Sequence, residues 1–286
     1  MRRRIRVAVP PGLRGVLLLS CAIFLAQACT PQPGAVSRQP VTIRLVADDS
    51  FAPLTEDLAT GYEESRPWVD VTTQVLNTAL AESVVRDGGA NLALLSWLAG
   101  PVDGGQLWVE GFARDSVAVI VHPDSPLTET GLAQLREIFR GRMQEWDGTV
   151  ITVVSREDGS GTRAAFERIA LGGGDTTLNA VVVPSGEAVL DLVASTPGAI
   201  GYVSSLWLGS AQLSSSGRVR RLEEGVRVLP VEGLLPTEET VRDGSYPLWR
   251  QLYLVCPGEP DGEAREFAQW LLQRSGLRES VALLGR

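Results

Sequence analysis

From residue 41 onward the chain alternates β-branched runs with amphipathic helical runs, and that rhythm narrows the fold more than any other feature. Val41 to Ala47 reads as a strand, and Pro53 to Glu64 as a helix with Leu54, Leu58 and Tyr62 on one face. Val69 to Val75 is a strand, Leu80 to Asp87 a short helix, and Asn91 to Ser96 a strand. Ser116 to Val121 is a strong β-branched run, and Leu132, Leu135, Ile138 and Phe139 mark a helix that ends near Gly141. The second half repeats the pattern: strand Val150 to Val154, helix Ala164 to Leu171, strand Val181 to Val183, then a helix carrying Val189, Leu190 and Val193. Ala199 to Val203, Arg227 to Val231 and Leu252 to Val255 are further strands, and a last helix holds Phe267, Trp270 and Leu271. Such alternation specifies an α/β fold with parallel sheets and helices on both faces. No internal repeat interrupts it, and the low-complexity Ser214-Ser215-Ser216-Gly217 reads as an exposed turn.

The segment Ser155-Arg156-Glu157-Asp158-Gly159-Ser160-Gly161-Thr162-Arg163 sits between one such strand and one such helix. A glycine-rich turn there directs several backbone N–H groups at one point, at the positive end of a helix dipole. Ser160 and Thr162 add hydroxyl donors, and Arg156 can supply a forked pair of N–H groups. The chemistry suits a tetrahedral oxyanion, while Gly-Ser-Gly-Thr alone also fits an ordinary loop with a helix cap. A Walker phosphate loop is excluded because no lysine follows the last glycine and the chain contains none; the dinucleotide pattern G-x-G-x-x-G is absent here too.

In open α/β sheets ligands lie beyond the carboxyl ends of the strands. Three strand-to-helix loops therefore matter: Asp48 to Ala52, Leu76 to Ala79, and Asp158 to Thr162. Ser50 and Thr78 put a hydroxyl in the first two, as Ser160 and Thr162 do in the third. Each alone is explained by N-capping; together they suggest three helix N-termini converging on one site.

The chain has 286 residues, 44% hydrophobic and 21% charged, which is globular and leaves room for one large domain or two lobes. Its start differs. Arg2, Arg3, Arg4, Arg6 and Arg14 precede an apolar run, Gly15 to Ala26, that is too short for a permanent membrane helix, and Ala26-Gln27-Ala28 is a small-x-small cleavage site. Residues 1–28 are therefore expected to be a signal peptide. Cys29 resembles the lipidated cysteine of bacterial lipoproteins, with residues 29–40 as a Pro/Gly/Ser/Gln-rich tether, although Ala26 stands where that pattern usually has leucine. The alternatives are plain cleavage after Ala28, or acylation at Cys21 within Leu18-Leu19-Ser20-Cys21. Removal of five arginines and no acid takes the net charge from −8 to −13, which argues against nucleic acid but not against a small anion held by local dipoles. Cys256 then stands alone in the body, so the core must hold by burial rather than by disulfides.

With these motifs in their order, the chain resembles the substrate-binding proteins of bacterial phosphate ABC importers. The resemblance runs through Ala52-Pro53-Leu54, through Gln134 to Gly141 followed by Trp146, and through Ser155 to Arg163. It continues through Pro197-Gly198-Ala199-Ile200-Gly201-Tyr202-Val203 and through Gly244-Ser245-Tyr246-Pro247-Leu248 with Leu252-Tyr253-Leu254. It implies a two-lobed type II periplasmic-binding-protein-like fold, each lobe a mostly parallel sheet, joined by hinge strands and closing on the ligand. Lobe 1 is expected to be 41–120 and 204–286, and lobe 2 to be 121–203. The resemblance implies inorganic phosphate, or a related oxyanion, as ligand, an ABC permease as partner, a monomer, and neither cofactor nor metal. By the same carry-over Arg156, Ser160, Gly161 and Thr162 hold the anion from the second lobe, with Asp158 bracing Arg156. Ser50, the backbone of Phe51, Thr78 and Ser96 hold it from the first lobe. Ser96 falls where some members place a carboxylate that accepts the proton of hydrogen phosphate.

Departures are visible. Many members have Gly-Ser-Thr-Thr where this chain has Ala47-Asp48-Asp49-Ser50, and two carboxylates so near repel an anion unless they point away or pair with an arginine. The second loop, Leu76-Asn77-Thr78-Ala79, lacks the usual glycines, and Asn91 and Trp97 replace an acidic and often basic position near Ser96.

Two other function classes compete. A hydrolase would need a nucleophile and a base. The single histidine, His122, lies in a Val-His-Pro-Asp turn without a local Ser or Cys partner, and Ser160 has Asp158 and Thr162 where a nucleophile elbow needs glycines two positions to either side. An interaction module that has lost its ligand, with Trp68, Trp97, Trp108, Trp207 and Trp249 as surface or packing residues, is the other.

Overall fold

The computed structural model describes residues 39–99, 106–209, 211–213, 219–221 and 225–273. The expected signal peptide (1–28), Cys29 and nearly all of the tether lie outside them. The strands, in chain order, are β1 (Val41–Asp48), β2 (Val69–Leu76), β3 (Leu92–Leu95), β4 (Trp108–Val121), β5 (Glu145–Trp146), β6 (Thr149–Val150), β7 (Thr152–Arg156), β8 (Val181–Val183), β9 (Ala199–Ser204), β10 (Ala211–Leu213), β11 (Val219–Arg221), β12 (Arg227–Val228) and β13 (Trp249–Cys256). The helices are α1 (Ala52–Ser65), α2 (Thr78–Arg86), α3 (Leu132–Phe139), α4 (Gly161–Ile169), α5 (Gly186–Ser195), α6 (Glu238–Arg242) and α7 (Gly262–Gln273). None of these helices is long and apolar enough to cross a membrane.

Helices begin where the sequence supplies caps. Asn77 accepts from Leu80 N–H at 3.0 Å, Ser160 from Arg163 N–H at 3.3 Å, and Ser185 from Ala188 N–H at 3.1 Å, each satisfying an N–H that the helix itself cannot. Pro53 stands in the first turn of α1, where its missing N–H costs nothing. Gly159 takes φ +83°, a left-handed conformation that lets the chain leave β7 and turn at once into α4.

The main sheet runs β2-β1-β3-β13-β4-β9-β7-β8, with β12 on β4. β1 is parallel to β2 and β3, and β7 is parallel to β8 and β9. The antiparallel strands β13 and β4 join the two parallel sets. β4 is shared: Trp108 to Ser116 pairs with β13, whereas Val117 to Val121 pairs with β9. Each half has its own apolar core. Ile43, Leu45, Leu58, Leu254 and Phe267 fill the first, where Tyr62 stacks on Phe267 at 4.3 Å. Val119, Ile138, Phe139 and Leu248 fill the second, where Phe166 stacks on Tyr202 at 4.1 Å. This is the two-lobed type II arrangement, a mixed α/β fold.

The lobe limits differ from those drawn on the sequence. Leu229, Val231, Val241, Tyr246 and Leu248 pack in the second core, so the stretch from β12 to Leu248 joins lobe 2 rather than lobe 1. The handover within β4 falls between Ser116 and Val117, earlier than residue 120. The cause is that β12 and the segment after it return across β4 before the chain re-enters the first lobe through β13.

Candidate functional site

Four loops meet between the lobes, each at the carboxyl end of a strand. β1 ends at Asp48, and a short 3-10 turn, Asp49–Phe51, leads into α1. From the first lobe come Ser50, Thr78 at the start of α2, and Ser96 just past β3; from the second come Ser160, Gly161 and Thr162 at the start of α4. The five hydroxyl side chains among them are buried. Ser50 Oγ and Thr162 Oγ1 share a hydrogen bond of 3.2 Å across the cleft, and Gly161 N–H donates to Thr78 Oγ1 at 2.8 Å. A backbone bond from Ala79 N–H to Gly159 O, 3.0 Å, adds to the same seam. Ser50 Oγ also donates to Ser96 Oγ at 3.1 Å. Ser160 faces its own helix, accepting from Arg163 N–H. Phe51 is buried against Phe112, with ring centroids 6.2 Å apart, and its carbonyl accepts from Thr55.

The acidic pair of the first loop faces inward. Asp48, fully buried, accepts from Ser96 N–H and Ser96 Oγ, both at 2.6 Å, and from Thr78 Oγ1 at 2.9 Å, all on Oδ2; Oδ1 accepts from Ser50 N–H at 3.0 Å. Asp49 Oδ2 accepts from Arg156 at 2.6 Å and from Gly186 N–H, at the start of α5, at 2.9 Å. Trp207 Nε1 donates to the Asp49 carbonyl at 3.1 Å. Burial pushes the Asp49 carboxyl above its ordinary range, an effect that the Arg156 charge and the Gly186 N–H offset only in part.

Two expectations for the arginine therefore need correction. Arg156 is not aimed at the hydroxyl cluster. Its N–H groups go to Asp49, to both Glu157 oxygens (3.0 and 3.1 Å) and to the Pro184 carbonyl (3.1 Å), and it is 2% exposed. Nor does Asp158 brace it: Asp158 pairs with Arg163 at 2.6 Å on the surface, because the Gly159 turn carries it outward and Glu157 takes the bracing position.

The guanidinium that does reach the hydroxyls is Arg250, on β13, which sequence reasoning missed. Its NH2 donates to Ser50 Oγ at 3.0 Å and its NH1 to Thr162 Oγ1 at 3.2 Å. Asp115, directly opposite on β4, holds it through Nε (2.9 Å) and NH2 (2.6 Å). Asp115 is held in turn by the hydroxyls of Ser204 and Ser205, at 2.8 and 2.6 Å. A lone charge inside the apolar run from Leu248 to Val255 was the available signal. No group of His, Cys, Asp and Glu able to hold a metal ion occurs among the described residues.

This arrangement can present hydroxyls, a helix-terminal N–H and a clamped guanidinium to a small anion. Residues 34–275 match the family model described as a PBP superfamily domain. The chain is 27% identical over 276 residues to the phosphate-binding protein PstS of Bacillus subtilis, covering 90% of this chain and 87% of that one. A Clostridium perfringens substrate-binding protein, assigned to phosphate ABC transport and solved with bound phosphate, superposes with a TM-score of 0.71 at 26% identity, covering 82% of this chain and 94% of that one. A phosphate transport receptor of Vibrio cholerae shares the fold, with a TM-score of 0.65 at 24% identity over 84% of this chain and 96% of that one. On its fold, its cleft and these matches, the chain belongs to the PBP superfamily domain family, beside the phosphate-binding proteins.

Proposed function

We propose that the chain is an extracytoplasmic solute-binding protein that captures inorganic phosphate between its lobes and delivers it to an ABC permease. The observation that carries this is the meeting of Thr162 and the Gly161 N–H from one lobe with Ser50, Thr78, Ser96 and Arg250 from the other. Helix dipoles at α2 and α4 add to the local positive potential. Phe51 offers a backbone N–H beside Ser50, and Ser160 holds the turn in shape. Arg156 acts through Asp49, fastening the lobes rather than touching the anion.

The relatives are binding proteins, and the site fits that role better than catalysis. Ser160 is occupied as a helix cap, and the His122 ring accepts from Asp124 N–H in its own turn. Export through residues 1–28, anchoring through Cys29 and a monomeric state complete the reading.

Calorimetric titration with phosphate and sulfate tests it. Heat is expected with phosphate, and Thr162→Ala should weaken binding by about 1 kcal/mol, the contribution of one neutral donor. Silence with every tetrahedral oxyanion would sink the proposal. A second reading, a member that closes upon itself and carries no solute, is favoured by one observation: the cleft donors already satisfy Asp48.

A further inference from the structure

The donors that line the cleft already have an acceptor, and it belongs to the chain. Gly161 N–H donates to Thr78, whose hydroxyl donates to Asp48. Arg250 donates to Ser50, Ser50 to Ser96, and Ser96 to Asp48. Backbone N–H groups of Ser50 and Ser96 complete the shell around that carboxylate. Two of the hydroxyls that would face a small anion, Thr78 and Ser96, thus bond a side chain instead, and Gly161, Ser50 and Arg250 follow them at one or two removes. At the next residue, Asp49 from the first lobe takes Arg156 and the Gly186 N–H from the second, so a second carboxylate also sits on cationic and helix-terminal donors.

Distances show that these groups touch one another rather than frame a guest. Two donors bonded to one anion oxygen at ~2.7 Å each stand about 4–5 Å apart. Ser50 Oγ and Thr162 Oγ1 are 3.2 Å apart, and Gly161 N lies 2.8 Å from Thr78 Oγ1. A Cβ on Gly161 would lie 2.6 Å from Thr78 Oγ1 and 2.8 Å from Ser96 Oγ, so the seam has no slack there.

We propose that Asp48 and Asp49 are tethered surrogate anions: Asp49 holds the lobes closed with no solute bound, and an arriving oxyanion must displace the Asp48 carboxylate to use the Thr78 and Ser96 donors. Asp49 supplies the clasp across the cleft through Arg156. Asp48 supplies the competition, because a carboxylate and an oxyanion cannot both occupy one set of donors without strong like-charge repulsion. The displacement half rests on the oxyanion reading above; the closure half does not.

Small-angle scattering of the full chain, with and without saturating inorganic phosphate, reads closure, and calorimetric titration with phosphate reads displacement. The ligand-free wild type is expected to be as compact as the phosphate-treated protein, and ligand-free Asp49→Ala to be more expanded. Asp48→Ala is expected to bind phosphate about ten-fold or more tightly than wild type. A ligand-free wild type that contracts on adding phosphate overturns the closure. Binding by Asp48→Ala that is equal to wild type or weaker overturns the displacement and makes Asp48 a residue that holds the ligand. Should Asp48→Ala fail to fold, the scattering of Asp49→Ala still decides the clasp. No heat from wild type or either variant, with a compact wild type and an expanded Asp49→Ala, removes the phosphate reading while supporting the closure.

Discussion

Arg250 and Asp115 form a cross-strand ion pair, 2.6 Å at its shortest, in which both partners are almost wholly removed from water. A pair of this kind gains little over an apolar pair of equal volume, but losing one partner leaves an uncompensated buried charge. Arg250→Met is therefore expected to destabilise the fold by about 3–5 kcal/mol in denaturant unfolding. Arg250→Lys should fold better and still bind phosphate poorly, because a point charge cannot bond Asp115, Ser50 and Thr162 together. Unimpaired phosphate affinity in Arg250→Lys would contradict the role given to the fork. This residue was not legible as part of a motif, since its counter-ion lies 135 positions away. Asp48 was equally hidden. Leu45, Val46, Ala47 and Asp48 are all buried, so the two-residue alternation of the first half of β1 lapses before its last side chain and cannot tell where that one aims.

At the scale of elements, the start of α4 is set by packing as much as by capping. Gly161 occupies the first turn with Thr78 Oγ1, Ser96 Oγ and Trp97 Cβ all within 2.8 Å of where a Cβ would stand. Gly161→Ala is thus expected to wedge the lobes apart at a cost of about 1–3 kcal/mol. The loss should appear as a looser ligand-free particle in scattering, since alanine suits the helix itself; unchanged compactness would refute the wedge. Helices and inner strands were legible because periodicity reports burial directly: α1 falls at Ala52–Ser65 where the apolar face suggests 53–64. The first half of β4 was not, because Trp108 to Arg114 is half-buried or exposed along a joining strand, and an apolar-run criterion begins only at Ser116. The hydroxyl-bearing loops were readable from their strand–turn–helix setting, whereas which arginine they meet depends on a strand that returns from the far end of the chain.

For the molecule as a whole, closure and acidity are linked through Asp49. Burial raises its carboxyl pKa on folding, so from about pH 4 upward the native state retains a proton that the unfolded chain has released. Stability from this group is fully present below that window and declines as pH climbs through it. The groups facing it are Arg156, Asp48 and, beyond the guanidinium, Glu157. Thermal melts across the mildly acid range should show the stability of Asp49→Asn falling less, or rising more, with pH than that of wild type, and equal slopes would exclude Asp49 as the source.

Because β4 changes partner between Ser116 and Val117, immediately after Asp115, the fulcrum of the molecule adjoins the anchor of its cleft arginine. Asp115 keeps the guanidinium beside Ser50 on the near side of that point, so a rotation of one half against the other would part it from Thr162 alone. Opening and disarming would then be one movement.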